Sequence, residues 1–137
     1  MEIEFKGKVK YNGNHYHSGE WVKGTGIQVD GDKVFLYDNE LIYMNPFGEE
    51  YRSDEWVEVI PETVGQYIGK KGAHEAKIYK GDLLADGDDI WLVEREEEEA
   101  KYILVLDNVS MDFGNLDSEW LEVVGNIHDV AVGVDGN

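Results

Sequence analysis

Apolar and polar side chains alternate along this chain with a period of two, and no stretch combines a helical period with helix caps. Ile3 and Phe5 stand between Glu2, Glu4 and Lys6. Runs rich in β-branched and aromatic residues follow, VFLY at 34–37, IWLV at 90–93 and YILVL at 102–106. Side chains of an extended strand point to opposite faces in turn, so such runs make half-buried strands. Turn signals separate them: Asn12-Gly13, Asp30-Gly31, Phe47-Gly48, Lys71-Gly72, Asp86-Gly87 and Gly114-Asn115. Asx-Gly pairs supply the positive φ angles of tight hairpins. A one-turn helix is expected only at 61–64.

Two octets nearly coincide. Residues 53–60 read SDEWVEVI and residues 117–124 read DSEWLEVV. Other blocks recur in the same order. Lys23-Gly24 precedes DGDKVFLY at 30–37, and Lys80-Gly81 precedes DGDDIWLV at 86–93. Val64-Gly65-Gln66 and Val124-Gly125-Asn126 follow the two octets. Ordered recurrence with drifting spacing suggests a duplicated unit with insertions in loops. The alternative is chance similarity between two acidic, β-rich halves. The expected fold is therefore all-β (mainly β), a small antiparallel barrel or roll of SH3 type, as two duplicated units over 1–69 and 70–137 or one compact domain. A unit of this size is marginal alone, so pooled cores are expected. Trp56 and Trp120 are expected inside, with Glu58 and Glu122 outside. Core packing is likewise expected for Trp21 and Trp91.

Composition bounds the function. With 42% hydrophobic and 12% aromatic residues, the chain has ample material for a core. The formal charge of −18, spread over both halves, repels a phosphate backbone, which argues against direct nucleic-acid binding. The same field attracts a basic surface, although solubility explains it more simply. Cysteine is absent, as suits a reducing cytoplasm. The segment MEIEFKGKVKY lacks the apolar block of a signal peptide, and no apolar run reaches membrane-spanning length.

No pattern carries recognisable chemistry. His15 and His17, on an expected strand, would share one face, but a third metal ligand is not evident, with His74 and His128 isolated. Asp30-Gly31-Asp32 and Asp86-Gly87-Asp88-Asp89 do not fit a calcium loop and read better as hairpin turns. Gly65 to Gly69, followed by Lys70-Lys71, lacks the ending of a phosphate loop. The serines have no nucleophile-elbow context. Catalytic, cofactor-binding and metal residues are accordingly none. The segment 90–107 reads as a hairpin with strands over 90–94 and 101–107. Its acidic tip offers Glu96, Glu97, Glu98 and Glu99 to a basic partner, against the plainer reading of a solvated loop that blocks edge pairing. Tyr16, Tyr43 and Tyr51 are further candidates for exposed recognition residues.

Glu62-Thr63-Val64-Gly65-Gln66-Tyr67-Ile68-Gly69, followed by Lys77-Ile78-Tyr79-Lys80-Gly81-Asp82, forms a pattern that resembles the YopX-like family of phage and prophage proteins. Ser18-Gly19-Glu20-Trp21-Val22 and Leu121-Glu122-Val123-Val124-Gly125-Asn126-Ile127 resemble the family's early and closing segments. Ile68 and Lys80 stand where the family usually has Thr and Glu. Its Lys/Asp/Asn/Gly-rich central loop is replaced by Lys70-Lys71-Gly72-Ala73-His74-Glu75-Ala76. The resemblance implies a β-rich fold of SH3-type character and a mobile-element origin. It carries over no catalytic residues, and the motif positions read as structural. Three functions are weighed. The first is a non-enzymatic accessory protein in the bacterial cytoplasm that binds an unknown, basic protein partner or a further copy of itself. The second is an acidic DNA mimic that inhibits a host DNA-binding protein. The third, and least favoured, is a metal-dependent hydrolase.

Overall fold

The structure, a computed structural model, describes residues 2–13, 15–44, 46–113 and 117–129, with side chains left out over 39–44 and 50–54. The chain is mainly β. Its strands run in the order β1 Phe5–Lys8, β2 Trp21–Gly24, β3 Gly26–Asp30, β4 Lys33–Met44, β5 Glu50–Val59, β6 Gly65–Lys71, β7 Lys77–Tyr79, β8 Asp82–Ala85, β9 Ile90–Glu96, β10 Lys101–Leu106, β11 Val109–Asp112 and β12 Glu122–Asn126. Short 3₁₀ turns span Pro61–Thr63 and Ala73–Glu75. The first of these is the single turn expected near Pro61, whose ring presets φ for a helical start. All named strand pairs are antiparallel. Ile3–Gln66 form one compact unit, and the described residues from Tyr67 onward, with Glu2, form the other.

In the first unit, β1 pairs with β2 on one side and with Gly65 and Gln66 of β6 on the other. Strands β3, β4 and β5 form a second sheet in that order. The β3–β4 hairpin closes through Gly31 and Asp32, between the paired residues Asp30 and Lys33. Its core is Val9, Val22, Leu36, Val57 and Val59, flanked by Phe5, Tyr16, Val34 and Val64. Gly24 permits this packing, because a Cβ there would lie 2.3 Å from the Tyr37 carbonyl oxygen. No side chain fits such an approach of two backbones.

In the second unit, five strands run in the order β11-β10-β9-β8-β12, and β6 pairs with β7 through Tyr67 opposite Tyr79. The β9–β10 hairpin matches the one expected over 90–107, except that β9 extends to Glu96, opposite Lys101. Ile68, Ile78, Leu84, Trp91, Val93, Leu104, Phe113 and Leu121 form the core. Trp91 is buried as expected, at 9% exposure.

Three tryptophans depart from expectation. Trp21 is only half-buried, outside both cores, with the Lys6 and Lys8 ammonium groups over its ring. Trp56 is 49% exposed and Trp120 62% exposed, so neither lies in a core. In β5 the inward residues are Val57 and Val59, and Val57 stands opposite Leu36. Alternation then sends Trp56 and Glu58 together to the other face. There Trp56 packs on its cross-strand neighbour Tyr37, ring centroids 5.0 Å apart and planes tilted by 44°. The second octet is not an equivalent strand. Trp120 sits in a turn closed by the Leu121 N–H on the Ser118 carbonyl at 3.0 Å. Only from Glu122 does the chain enter β12, which pairs with β8, whereas the first octet pairs with β4. Leu121, not Trp120, fills the core there.

Leu84→Ala should lower stability by about 2–5 kcal/mol, as for a fully buried leucine. Trp56→Ala should cost about 1 kcal/mol or less, which is the stacking on Tyr37 and a half-exposed surface. Urea denaturation of the two variants separates the cases, and the reverse ranking would place Trp56 in the core.

Candidate functional site

The motif residues that carry the family resemblance lie mostly in turns and in the buried interior of the described residues. In the first unit Glu62 lies exposed on the Pro61–Thr63 turn, and Thr63 is buried beneath it. The Thr63 hydroxyl donates to the Ile60 carbonyl at 2.6 Å and accepts the Lys8 N–H at 2.8 Å. It thus ties the 3₁₀ turn to the end of β1. Val64 packs on the core, and Gly65 and Gln66 pair with Lys6 and Phe5.

In the second unit Tyr67 and Tyr79 are buried, their ring centroids 5.8 Å apart, while Gly69 turns the backbone at φ +88°. Ile78 is fully buried in the core. Gly81 has φ +93°, and its carbonyl accepts the Ile127 N–H at 2.9 Å. Asp82 is fully buried. One of its carboxylate oxygens accepts the Tyr79 N–H at 2.8 Å, and the other accepts the Asn126 side-chain amide at 2.9 Å. Asn126 in turn accepts the His128 N–H at 2.9 Å and donates its backbone N–H to Asp129 at 3.0 Å. The tight turn before β8 is therefore locked to the segment after β12. A buried carboxylate tolerates this setting because its oxygens are hydrogen-bonded.

The acidic tip is exposed at Glu97, Glu98 and Glu99, whereas Glu96 ends β9 half-buried. Lys101 binds Glu99 at 2.6 Å and Asp112 at 3.1 Å. Its hydrogen bond to Glu99, then that to Asp112, holds the ammonium above its ordinary range, and the bond to Lys101 holds the Glu99 carboxyl below its own. Part of the tip's charge is thus neutralised within the hairpin.

The histidines do not converge. Neither His15 nor His17 lies on a strand. His15 Nδ1 is 3.2 Å from Glu55, and His17 Nδ1 is 2.8 Å from Glu20. Among the described residues no group of three His, Cys, Asp or Glu side chains could hold a metal. The Asp86 turn is a hairpin closure whose carboxylate accepts the N–H groups of Asp88 and Asp89 and the Trp91 indole N–H. The side chains of Tyr43 and Tyr51 lie outside those described.

A surface groove of about 240 Å³ in the first unit brings together residues the sequence did not link. Tyr11, Tyr16, Glu55, Trp56 and Glu58 line it, with Val9 and Val57 at its base. Tyr11 is 62% exposed. The Tyr16 hydroxyl donates to Asp38, and burial, reinforced by that bond, pushes its phenol above the usual tyrosine range. Glu58 pairs with the Lys10 ammonium at 3.3 Å. That contact raises the Lys10 ammonium above its ordinary value. The groove is thus an aromatic surface edged by carboxylates. One sequence signal did point to it: Trp56 shares parity with Glu58, not with the valines.

Fold and surface together define an antiparallel β protein whose motif residues build turns and whose aromatics include solvent-facing tryptophans. The model of the YopX protein family matches residues 10–131, and the chain belongs to that family. No curated protein and no solved structure matches it.

Asp82→Ala removes the acceptor of two buried donors and should destabilise the protein by about 2–4 kcal/mol, with Thr63→Val costing about 1–2 kcal/mol. Thermal unfolding checks both. A second expectation concerns acid. The N–H of Asp89, then the Trp91 indole and the Asp88 N–H, hold Asp86 below its ordinary 3.8. A depressed carboxyl contributes stability that is present above 3.8 and lost as pH falls through the lower folded value. The stability gap between wild type and Asp86→Ala should therefore be full above about pH 5 and narrow below about pH 3. A gap independent of pH would contradict it.

Proposed function

We propose that this YopX family member is a phage- or prophage-encoded accessory protein that acts in the bacterial cytoplasm by binding another protein, without catalysis. The single observation behind this reading is the outward placement of Trp56 and Trp120 on a strongly acidic chain. Exposed tryptophan and tyrosine are the side chains that most often anchor protein interfaces. A half-exposed indole contributes little to folding, and contact with a partner makes use of its apolar area. The charge of −18 favours a basic partner and speeds encounter with it. No helix among the described residues is long and apolar enough to cross a membrane.

Tagged protein should retain a defined partner from lysate of infected or lysogenic cells at low salt, and release it as salt rises. The double variant Trp56→Ala/Trp120→Ala should retain about tenfold less. No retained partner, or retention indifferent to both tryptophans, would contradict the reading. Displacement of that partner by duplex DNA would identify it as a DNA-binding protein and shift the reading to mimicry.

A further inference from the structure

We propose that the groove of the first unit is a receptor for a guanidinium group, and that it takes an arginine side chain from an extended segment of the protein partner. This rests on the protein-binding reading and adds the site and the chemistry of the ligand.

Three features of the groove converge on such a ligand. The first is an aromatic platform. Tyr37 backs the Trp56 indole at 5.0 Å, and half of the Trp56 surface remains open. Tyr11 offers a second exposed ring on the same groove. A cation placed on an indole face is attracted by its quadrupole, and a planar guanidinium also stacks on it. The second feature is the pair of carboxylates that flank the platform. Glu55 directly precedes Trp56 and Glu58 follows it two residues on, and both line the groove. A guanidinium carries donors in a rigid fork, so it stacks on the ring and reaches carboxylates at its edge. An ammonium has no flat face to stack and no such fork. The third feature is charge. Glu55 and Glu58 line this surface and Asp38 is bonded to Tyr16 in it, with Lys10 paired to Glu58. The field therefore favours a cation and disfavours an anionic ligand such as a nucleic acid.

The existing contacts suit a site that holds its shape. Tyr16 is fixed by its bond to Asp38 and Glu55 by its contact with His15, while Val57 and Val59 anchor the strand beneath. Groups already held in place lose little entropy when a ligand arrives. The groove is also a shallow surface feature, which fits one side chain of an extended segment better than an engulfed small molecule.

The test uses the whole protein, isotopically labelled, at low ionic strength. The probe is a short capped glycine/serine peptide with one central arginine, alongside its lysine and citrulline counterparts. The arginine peptide should saturate and should shift the Trp56 indole N–H and the amides of residues 55–58. The lysine peptide should bind several-fold more weakly, and the uncharged citrulline peptide should not bind. Trp56→Ala should weaken arginine binding about tenfold, and Glu55→Gln several-fold. Unchanged amide spectra away from the groove would show that both variants stay folded. Equal binding of arginine and lysine, full binding by Trp56→Ala, or shifts centred on Glu97 to Glu99 would overturn the assignment. If the peptides fail while the whole protein still captures a salt-sensitive partner through its tryptophans, the groove assignment falls and the protein-binding reading stands. If neither binds, both fall.

Discussion

The opposition of Leu36 and Val57 across the β4–β5 ladder decides much of the first unit. Leu36 is fully buried and Val57 nearly so, and Val59 two residues on is fully buried. A strand has only two faces, so once the valines are inward the intervening residues must be outward. Trp56 and Glu58 have no other place to go. Tyr37 follows by the same rule, since it is next to Leu36 and opposite Trp56. The aromatic platform of Trp56 on Tyr37, and the Glu58 that shares its face, are thus consequences of one packing choice. Two β-branched side chains fill a thin core between sheets better than a bulky indole and a carboxylate would.

The second unit depends on a different device. Its five-stranded sheet keeps β12 against β8, and the buried Asp82 ties the entry to β8 to the residues that follow β12. A carboxylate in a dry interior is costly unless its oxygens are saturated, so the Tyr79 N–H and the Asn126 amide are needed by Asp82 as much as it by them. This gives the Gly81-Asp82 dipeptide a structural role in closing the turn before β8. Thr63 plays a similar part in the first unit. Thr63 and Asp82, two of the residues that carry the family resemblance, both hold turns in this chain.

Local rules were legible in the sequence. The Asp-Gly turns at Gly31 and Gly87, the hairpin around the glutamate tip, the turn at Pro61 and the mainly β class all follow from propensity and period over a few residues. The burial of Trp91 was legible too, because it lies in an apolar, strand-forming run and shares its face with Val93. Less legible was which parity faces inward. An octet of the form EWVEV allows either face, and the choice is made by β4, a strand distant in sequence. The likeness of the two octets misled for the same reason. One lies in β5 up to Val59 and the other straddles a turn, so equal letters hold different positions. The groove was invisible because Tyr11, Tyr16 and Trp56 meet only once the first unit has closed. The His15 and His17 pair failed because no strand forms there, and each ring finds its own carboxylate.

The outward tryptophans are the claim on which the functional reading stands, and they are directly measurable. The four indole N–H resonances can be assigned with Trp→Phe variants and then exposed to a soluble paramagnetic agent. Trp56 and Trp120 should broaden strongly, while Trp91, buried and bonded to Asp86, should be spared. A Trp56 resonance as protected as that of Trp91 would mean that the strand faces the other way, and the groove and the proposed function would go with it.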